Sequence, residues 1–190
     1  MDYWKTNICM KTPTLFICLL LLSSLSMGQA KFGTKAGTIL FEASVASFEE
    51  VKAQNENVSA VLNTSNGEFA ALALVKGFRF KVALMEEHFN ENYMESSQFP
   101  KAVVKGSLKD FEMSKLTEGV SEFMLKGTIT IHGITKPLET LVQIKKIENT
   151  LVLETEFILK PEYFEIEIPK IVSNKVAKEV FVTATFSLSN

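Results

Sequence analysis

Residues 122–144 read E-F-M-L-K-G-T-I-T-I-H-G-I-T-K-P-L-E-T-L-V-Q-I. In the first half, Phe123, Leu125, Ile129 and Ile131 fall on one side of an extended chain. Met124, Lys126, Thr128, Thr130 and His132 fall on the other. Successive side chains of a strand leave opposite faces, so this alternation predicts a strand with one face buried and one wet. Gly133 breaks the run. After Lys136-Pro137 a second strand begins, with Leu138, Val142 and Ile144 on its apolar side. A short turn between two long amphipathic strands makes a hairpin, and a hairpin alone is marginal in water. The rest of the chain must close over its apolar face.

Upstream, Ile39, Phe41, Ala43 and Val45 alternate with Leu40, Glu42, Ser44 and Ala46 and predict a first strand. Residues 47–56 are polar and read as a loop with one helical turn. Residues 57–64 and 67–76 flank Ser65-Asn66-Gly67, a turn signal of the Asn-Gly kind, and predict a second hairpin. Val58, Ala60 and Leu62 would then oppose Phe69, Ala71 and Ala73. Val82, Met85, Phe89 and Tyr93 are spaced three, four and four, which predicts a helix over 83–94 ending before Pro100. Strands resume at 101–109, 122–132, 137–147, 151–160 and 179–189. Leu151, Leu153, Phe157 and Leu159 share one face, as do Val180, Val182, Ala184, Phe186 and Leu188. Between these last strands, Pro161 and Pro169 bracket Y-F-E-I-E-I, and residues 170–178 read as a polar loop. About eight strands with one inserted helix and no β-α-β alternation predict an all-β antiparallel barrel or sandwich.

Leu15 to Leu22 reads L-F-I-C-L-L-L-L, after Lys11 and before S-S-L-S-M-G-Q-A. A basic start, a short apolar run and small residues at Gly28 and Ala30 describe a secretory signal peptide over 1–30. Met10 is the more ordinary start for it. Residues 31–190 then form one domain of about 160 residues. The apolar run is too short to span a bilayer. Both cysteines, Cys9 and Cys18, precede the cut, and Cys18 follows Phe16-Ile17 rather than the small residues of a lipid-attachment site. A soluble periplasmic or secreted protein with no stable membrane anchor is expected, as monomer or homodimer.

The full chain carries a net charge of −2, and losing Asp2, Lys5 and Lys11 moves it by only about one unit, too little to leave a nucleic-acid footprint. Fifteen Phe against one Trp is a bias toward bulky, purely apolar rings. Catalysis needs groups that titrate usefully or bind metal. The histidines, His88 and His132, have no H-x-x-x-H spacing or paired acids beside them, and no nucleophile elbow or Gly-rich phosphate loop occurs. Glu86 and Glu87 are adjacent on the helix and point apart, as a solvated face does. No catalytic group, metal site or cofactor is expected.

Four blocks are more specific. His88-Phe89-Asn90 with Tyr93-Met94, then Phe99-Pro100-Lys101-Ala102, then Leu125-Lys126-Gly127, then Ile131-His132-Gly133-Ile134-Thr135-Lys136-Pro137 follow one another in order and spacing. Together they resemble the YceI-like lipid- and polyisoprenoid-binding family, over nearly the whole chain from about Gly37 onward. The resemblance implies a secreted or periplasmic, lipocalin-like barrel with an elongated apolar tunnel. In characterised members that tunnel is associated with an isoprenoid chain, such as a polyprenyl quinone or alcohol. Here the Ser65-Asn66-Gly67 hairpin and the Glu148-Asn149-Thr150 turn leave little loop to extend a tunnel.

On this reading the apolar chain of a polyisoprenoid or similar lipid would meet Phe41, Leu62, Phe69, Met85, Phe89, Tyr93, Phe123, Leu125, Ile129, Phe157 and Phe186. His88, Asn90 and Asn92 are candidates to bond its headgroup at the barrel mouth. The helix stripe is either core packing or a lid, and the inward Phe residues are either core or tunnel wall. A filled barrel with no ligand is the alternative, because a dry core and a lipid-lined cavity use the same residue types.

Overall fold

The structure, a computed structural model, describes residues 31–45, 48–117, 119–170 and 175–190. The expected signal peptide, both cysteines and the alternative start at Met10 lie outside the described residues. The strands are β1 (Lys31–Ser44), β2 (Lys52–Asn63), β3 (Glu68–Leu74), β4 (Arg79–Phe80) and β5 (Lys101–Leu108). They continue with β6 (Val120–Ile131), β7 (Ile134–Ile147), β8 (Thr150–Leu159) and β9 (Val176–Ser189). All pairings are antiparallel. β1 bonds both β2 and β9, so the sheet closes on itself as an eight-stranded barrel. The short β4 continues the line of β3 against the start of β2, with Ala53 opposite Phe80.

The hairpin at the centre of the sequence forms as its alternation predicts. β6 and β7 pair from Val120↔Lys145 to Ile131↔Ile134, leaving a two-residue turn of His132 and Gly133. Both take positive φ, 51° and 75°, the mirror-image turn that matches strand twist and strongly favours glycine. Phe123, Leu125, Ile129, Leu138, Val142 and Ile144 are buried, while Lys126 and Glu139 bridge on the wet face at 3.0 Å.

Four elements differ from the sequence expectation. β1 starts at Lys31, ahead of Ile39, and its pairing with β2 is irregular around Gly37. A side chain at Gly37 would strike the ring of Phe186, so the glycine makes room for that ring to enter the barrel. The polar run 47–56 is not a loop throughout, because β2 begins at Lys52. Its Asn55 is buried at 1% exposure, with both ends of its side-chain amide bonded. The amide donates to the Leu74 carbonyl at 3.0 Å, and Oδ1 accepts the Asn57 N–H at 2.9 Å. A bonded asparagine fits a barrel interior, so polar composition misreads this stretch. The helix is a single α-turn and a half, α1 (Ala83–His88), followed by a wider π-turn at Phe89–Tyr93. The polar loop 170–178 is shorter than expected, since β9 is under way at Val176.

The barrel interior is filled at one end. Leu62, Phe69, Leu108, Phe123, Leu125, Ile144, Leu151, Leu153, Phe186 and Leu188 pack together there. The loop after β5 folds under them and inserts Phe111 against Phe123, with centroids 5.2 Å apart. The other end carries α1, the His132–Gly133 turn and the segment after β8.

Candidate functional site

Above the packed end lies a cavity of about 440 Å³. One wall is aromatic. Phe41 of β1 stacks on Phe89 with centroids 5.4 Å apart, and Phe78 and Phe80 close on both rings at 5.1–5.9 Å. Val180 and Val182 of β9 stand beside Phe41, whose register partner is Val182, and the lining runs on through Phe157 and Leu159 of β8 to Ile129 and Ile131 of β6. Phe164, the last residue of the 3₁₀ turn Pro161–Phe164, and Ile166 just beyond it also line the cavity. Small residues Ala71, Ala73 and Ala102 leave the space open on a third side. The polar residues of the lining are Glu49, His88, Tyr93 and Lys175. His88, Glu49 and Lys175 are exposed, so they mark the rim and show that the cavity reaches the surface.

Two devices hold the elements over the mouth. Glu86 fastens α1 to β4: Oε1 receives the Arg79 guanidinium at 2.7 Å and Oε2 accepts the Phe80 N–H at 3.2 Å. Glu86 is therefore a structural tie, while Glu87 stays exposed. His132 fastens the segment after β8. Its Nδ1 lies 3.0 Å from the Phe164 carbonyl, which can only accept, so the ring carries its proton there. Nε2 is buried without a bonded partner, 4.0 Å from a carboxylate oxygen of Glu95. The ring also meets Phe99 edge-on at 4.5 Å.

The residues expected to touch a ligand divide by height in the barrel. Phe41, Met85, Phe89, Tyr93, Ile129 and Phe157 line the cavity. Leu62, Phe69, Phe123, Leu125 and Phe186 lie below it in the packed core. Of the headgroup candidates, His88 is on the rim. Asn90 donates to the Glu86 carbonyl at 2.9 Å, with its Oδ1 buried and unpartnered, and Asn92 is exposed away from the lining. Sequence reasoning passed over Phe78, Phe80, Phe164 and Ile166. The signal was present: Phe78 and Phe80 are two apart in K-G-F-R-F-K, and Phe164, Ile166 and Ile168 alternate within Y-F-E-I-E-I.

Chemically, this lining offers apolar surface and few titratable groups. Among the described residues no three His, Cys, Asp or Glu side chains are grouped so as to hold a metal ion. Lys115 donates a hydrogen bond that holds the Glu112 carboxyl below its usual range. Glu179 accepts one from Lys160 and holds that amine above its usual range. Both are exposed and outside the cavity lining.

The model of the YceI-like domain matches residues 29–188. The chain belongs to the YceI-like family. Solved structures of similar fold include a polyisoprenoid-binding domain from Saccharophagus degradans implicated in plant cell wall breakdown. It has a TM-score of 0.73 at 13% identity over 85% of this chain and 98% of that one. Burkholderia cenocepacia BcnA gives 0.65 at 13% identity over 80% and 96%. The Campylobacter jejuni YCEI protein gives 0.57 at 11% over 75% and 88%. No curated protein matches significantly in sequence. At these identities the YceI-like likeness is one of fold, and this chain's chemistry rests on its own side chains.

Proposed function

We propose that this YceI-like barrel binds one amphiphilic lipid by its apolar chain and carries it through an aqueous compartment outside the cytoplasm. The observation that carries the reading is the cavity: about 440 Å³ of space walled by Phe, Ile, Leu, Val and Ala, with polar groups at its rim. That volume falls within the roughly 300–1,000 Å³ of small-molecule sites, which supports binding over the filled-barrel alternative. Each methylene moved from water into such a space contributes about 0.8 kcal/mol before the cost of immobilisation, so affinity needs no ionic partner. A polyprenol, a prenyl quinone or a similar single-chain lipid fits this chemistry. The polyisoprenoid-binding domain of like fold supports the same class.

The headgroup would remain at the rim beside His88 and Tyr93, with Glu49 and Lys175 next to them. Binding is the activity this lining supports, since among the described residues it is apolar apart from Glu49, His88, Tyr93 and Lys175. The exported setting rests on the apolar run Leu15 to Leu22 and its flanks. Native mass spectrometry of protein purified without detergent tests the reading. One co-purified or added prenol per barrel is expected. A protein that carries no lipid and takes up neither prenol nor quinone contradicts it.

A further inference from the structure

The barrel wall is not equally bonded all round. Ladder pairs reach the cavity at Ala73↔Ala102 between β3 and β5, Val104↔Ile129 between β5 and β6, and Ile131↔Ile134 between β6 and β7. They reach it again at Leu159↔Val180 between β8 and β9 and at Phe41↔Val182 between β9 and β1. Between β7 and β8 the ladder stops lower, at Val142↔Thr155. Above that pair, residues 138–141 and 156–159 continue the register without forming a ladder, which leaves a seam about 13 Å long. The other interruption, between β2 and β3 above Ser59↔Leu72, is bridged. There the Asn55 amide donates to the Leu74 carbonyl, and β4 pairs with β2.

Side chains close the seam. At its base Thr140 Oγ1 donates to the Glu156 carbonyl at 3.0 Å, and Thr155 Oγ1 donates to the Leu141 carbonyl at 2.8 Å. The two hydroxyl oxygens are themselves 3.0 Å apart. Each has one hydrogen to give, so two hydrogens serve three contacts. Higher up the contact is apolar. Leu138 from one lip and Phe157 and Leu159 from the other share a cluster with Phe164, which is 3% exposed. Among the described residues, the segment 160–166 that carries Phe164 is bonded to the barrel at two points. Lys160 pairs with Glu179 at its root at 3.3 Å, and the His132 ring holds the Phe164 carbonyl at 3.0 Å.

The other boundaries of the cavity are firmer. Below, the rings of Phe69 and Phe186 meet inside the barrel with centroids 5.8 Å apart, and both are more than nine-tenths buried. On the far side α1 is tied down twice by Glu86 and packed into the cluster of Phe41, Phe78, Phe80 and Phe89. We propose that the β7–β8 seam is a side gate through which a lipid chain passes into the cavity, with residues 160–166 as its strap and Phe164 as its plug. This rests on the binding function proposed above and adds the route. Opening the gate parts the threonine hydroxyls and the His132 bond but breaks no ladder pair.

The test is stopped-flow exchange of anthraniloyl-farnesol with the mature protein. Thr140 and His132 are both outside the cavity lining, so changing them should alter rates and not affinity. Thr140→Val and His132→Ala should each quicken uptake and release in step, by about fivefold or more, with the dissociation constant held within about twofold. Two variants are named because either can fail to fold. Asn55→Leu loosens the barrel at its bridged interruption and should leave both rates as they are. Unchanged rates in the seam variants, or equal quickening by Asn55→Leu, overturn the gate and leave lipid binding intact. Failure of the unmodified protein to bind the probe overturns both.

Discussion

Phe89 lies over Phe41 with ring centroids 5.4 Å apart and planes inclined by 30°, so the element covering the mouth is held by the same ring that begins the cavity wall. Phe89 is half-buried in this state, and its other neighbours are Phe78 and Phe80. Phe89→Ala should cost about 1–2 kcal/mol, less than a fully buried ring because the site is partly open. The larger effect should be kinetic. Displacement of a bound prenol, followed by stopped flow, should accelerate by about tenfold. An unchanged release rate would mean that the helix is no barrier.

Filling the cavity should separate binding from stability. Ile131→Trp adds bulk on the wall without disturbing the packed end, so prenol uptake should be lost while the melting temperature holds or rises. Leu125→Ala should do the reverse. Leu125 is 2% exposed in the packed end, and its truncation should cost about 3 kcal/mol in chemical denaturation with affinity nearly unchanged. The opposite pattern would place the guest in the lower barrel.

Asn55 is a stability residue with no part in binding. Asn55→Leu leaves the part-buried Leu74 carbonyl and Asn57 N–H without their side-chain partner. A buried polar group left unpaired costs about 1–3 kcal/mol. Urea unfolding should show a loss in that range, and a neutral result would show that the strand re-forms its bonds another way.

His132→Ala should loosen the cover without loosening the barrel. The ring's bond to the Phe164 carbonyl is the side-chain tie between the β6–β7 turn and the segment after β8. Hydrogen exchange at Ile166, whose N–H bonds the Pro161 carbonyl, should speed by about tenfold. Amides of β6 and β7 should stay protected. Equal deprotection of the strands would make His132 a core residue and not a latch.

Most of the fold is written in local alternation. The β6–β7 hairpin, the β2–β3 hairpin and the last two strands are legible because one buried face imposes a period of two. Residues 47–56 were not, because the amide of the buried Asn55 is satisfied by the Leu74 carbonyl, 19 residues on, which no window of neighbouring residues contains. Helix geometry was legible as to place but not form: the Met85–Phe89–Tyr93 stripe does not reveal the π-turn that follows His88. The site was half legible for a plainer reason. Alternation shows that Phe41 and Phe186 both point inward, but height along the barrel decides which lines a space and which fills one. That depends on strand stagger, which the β1–β2 irregularity at Gly37 shifts.

The central claim is that the guest sits in the upper barrel, above the Phe69–Phe186 pair. Methyl NMR of Ile-, Leu- and Val-labelled protein titrated with farnesol locates it directly. Ile129, Ile131, Val180 and Val182 should shift and saturate at one equivalent, while Leu62, Leu125, Ile144 and Leu188 stay in place. Shifts spread through the lower set, or confined to the outer surface, would contradict the account.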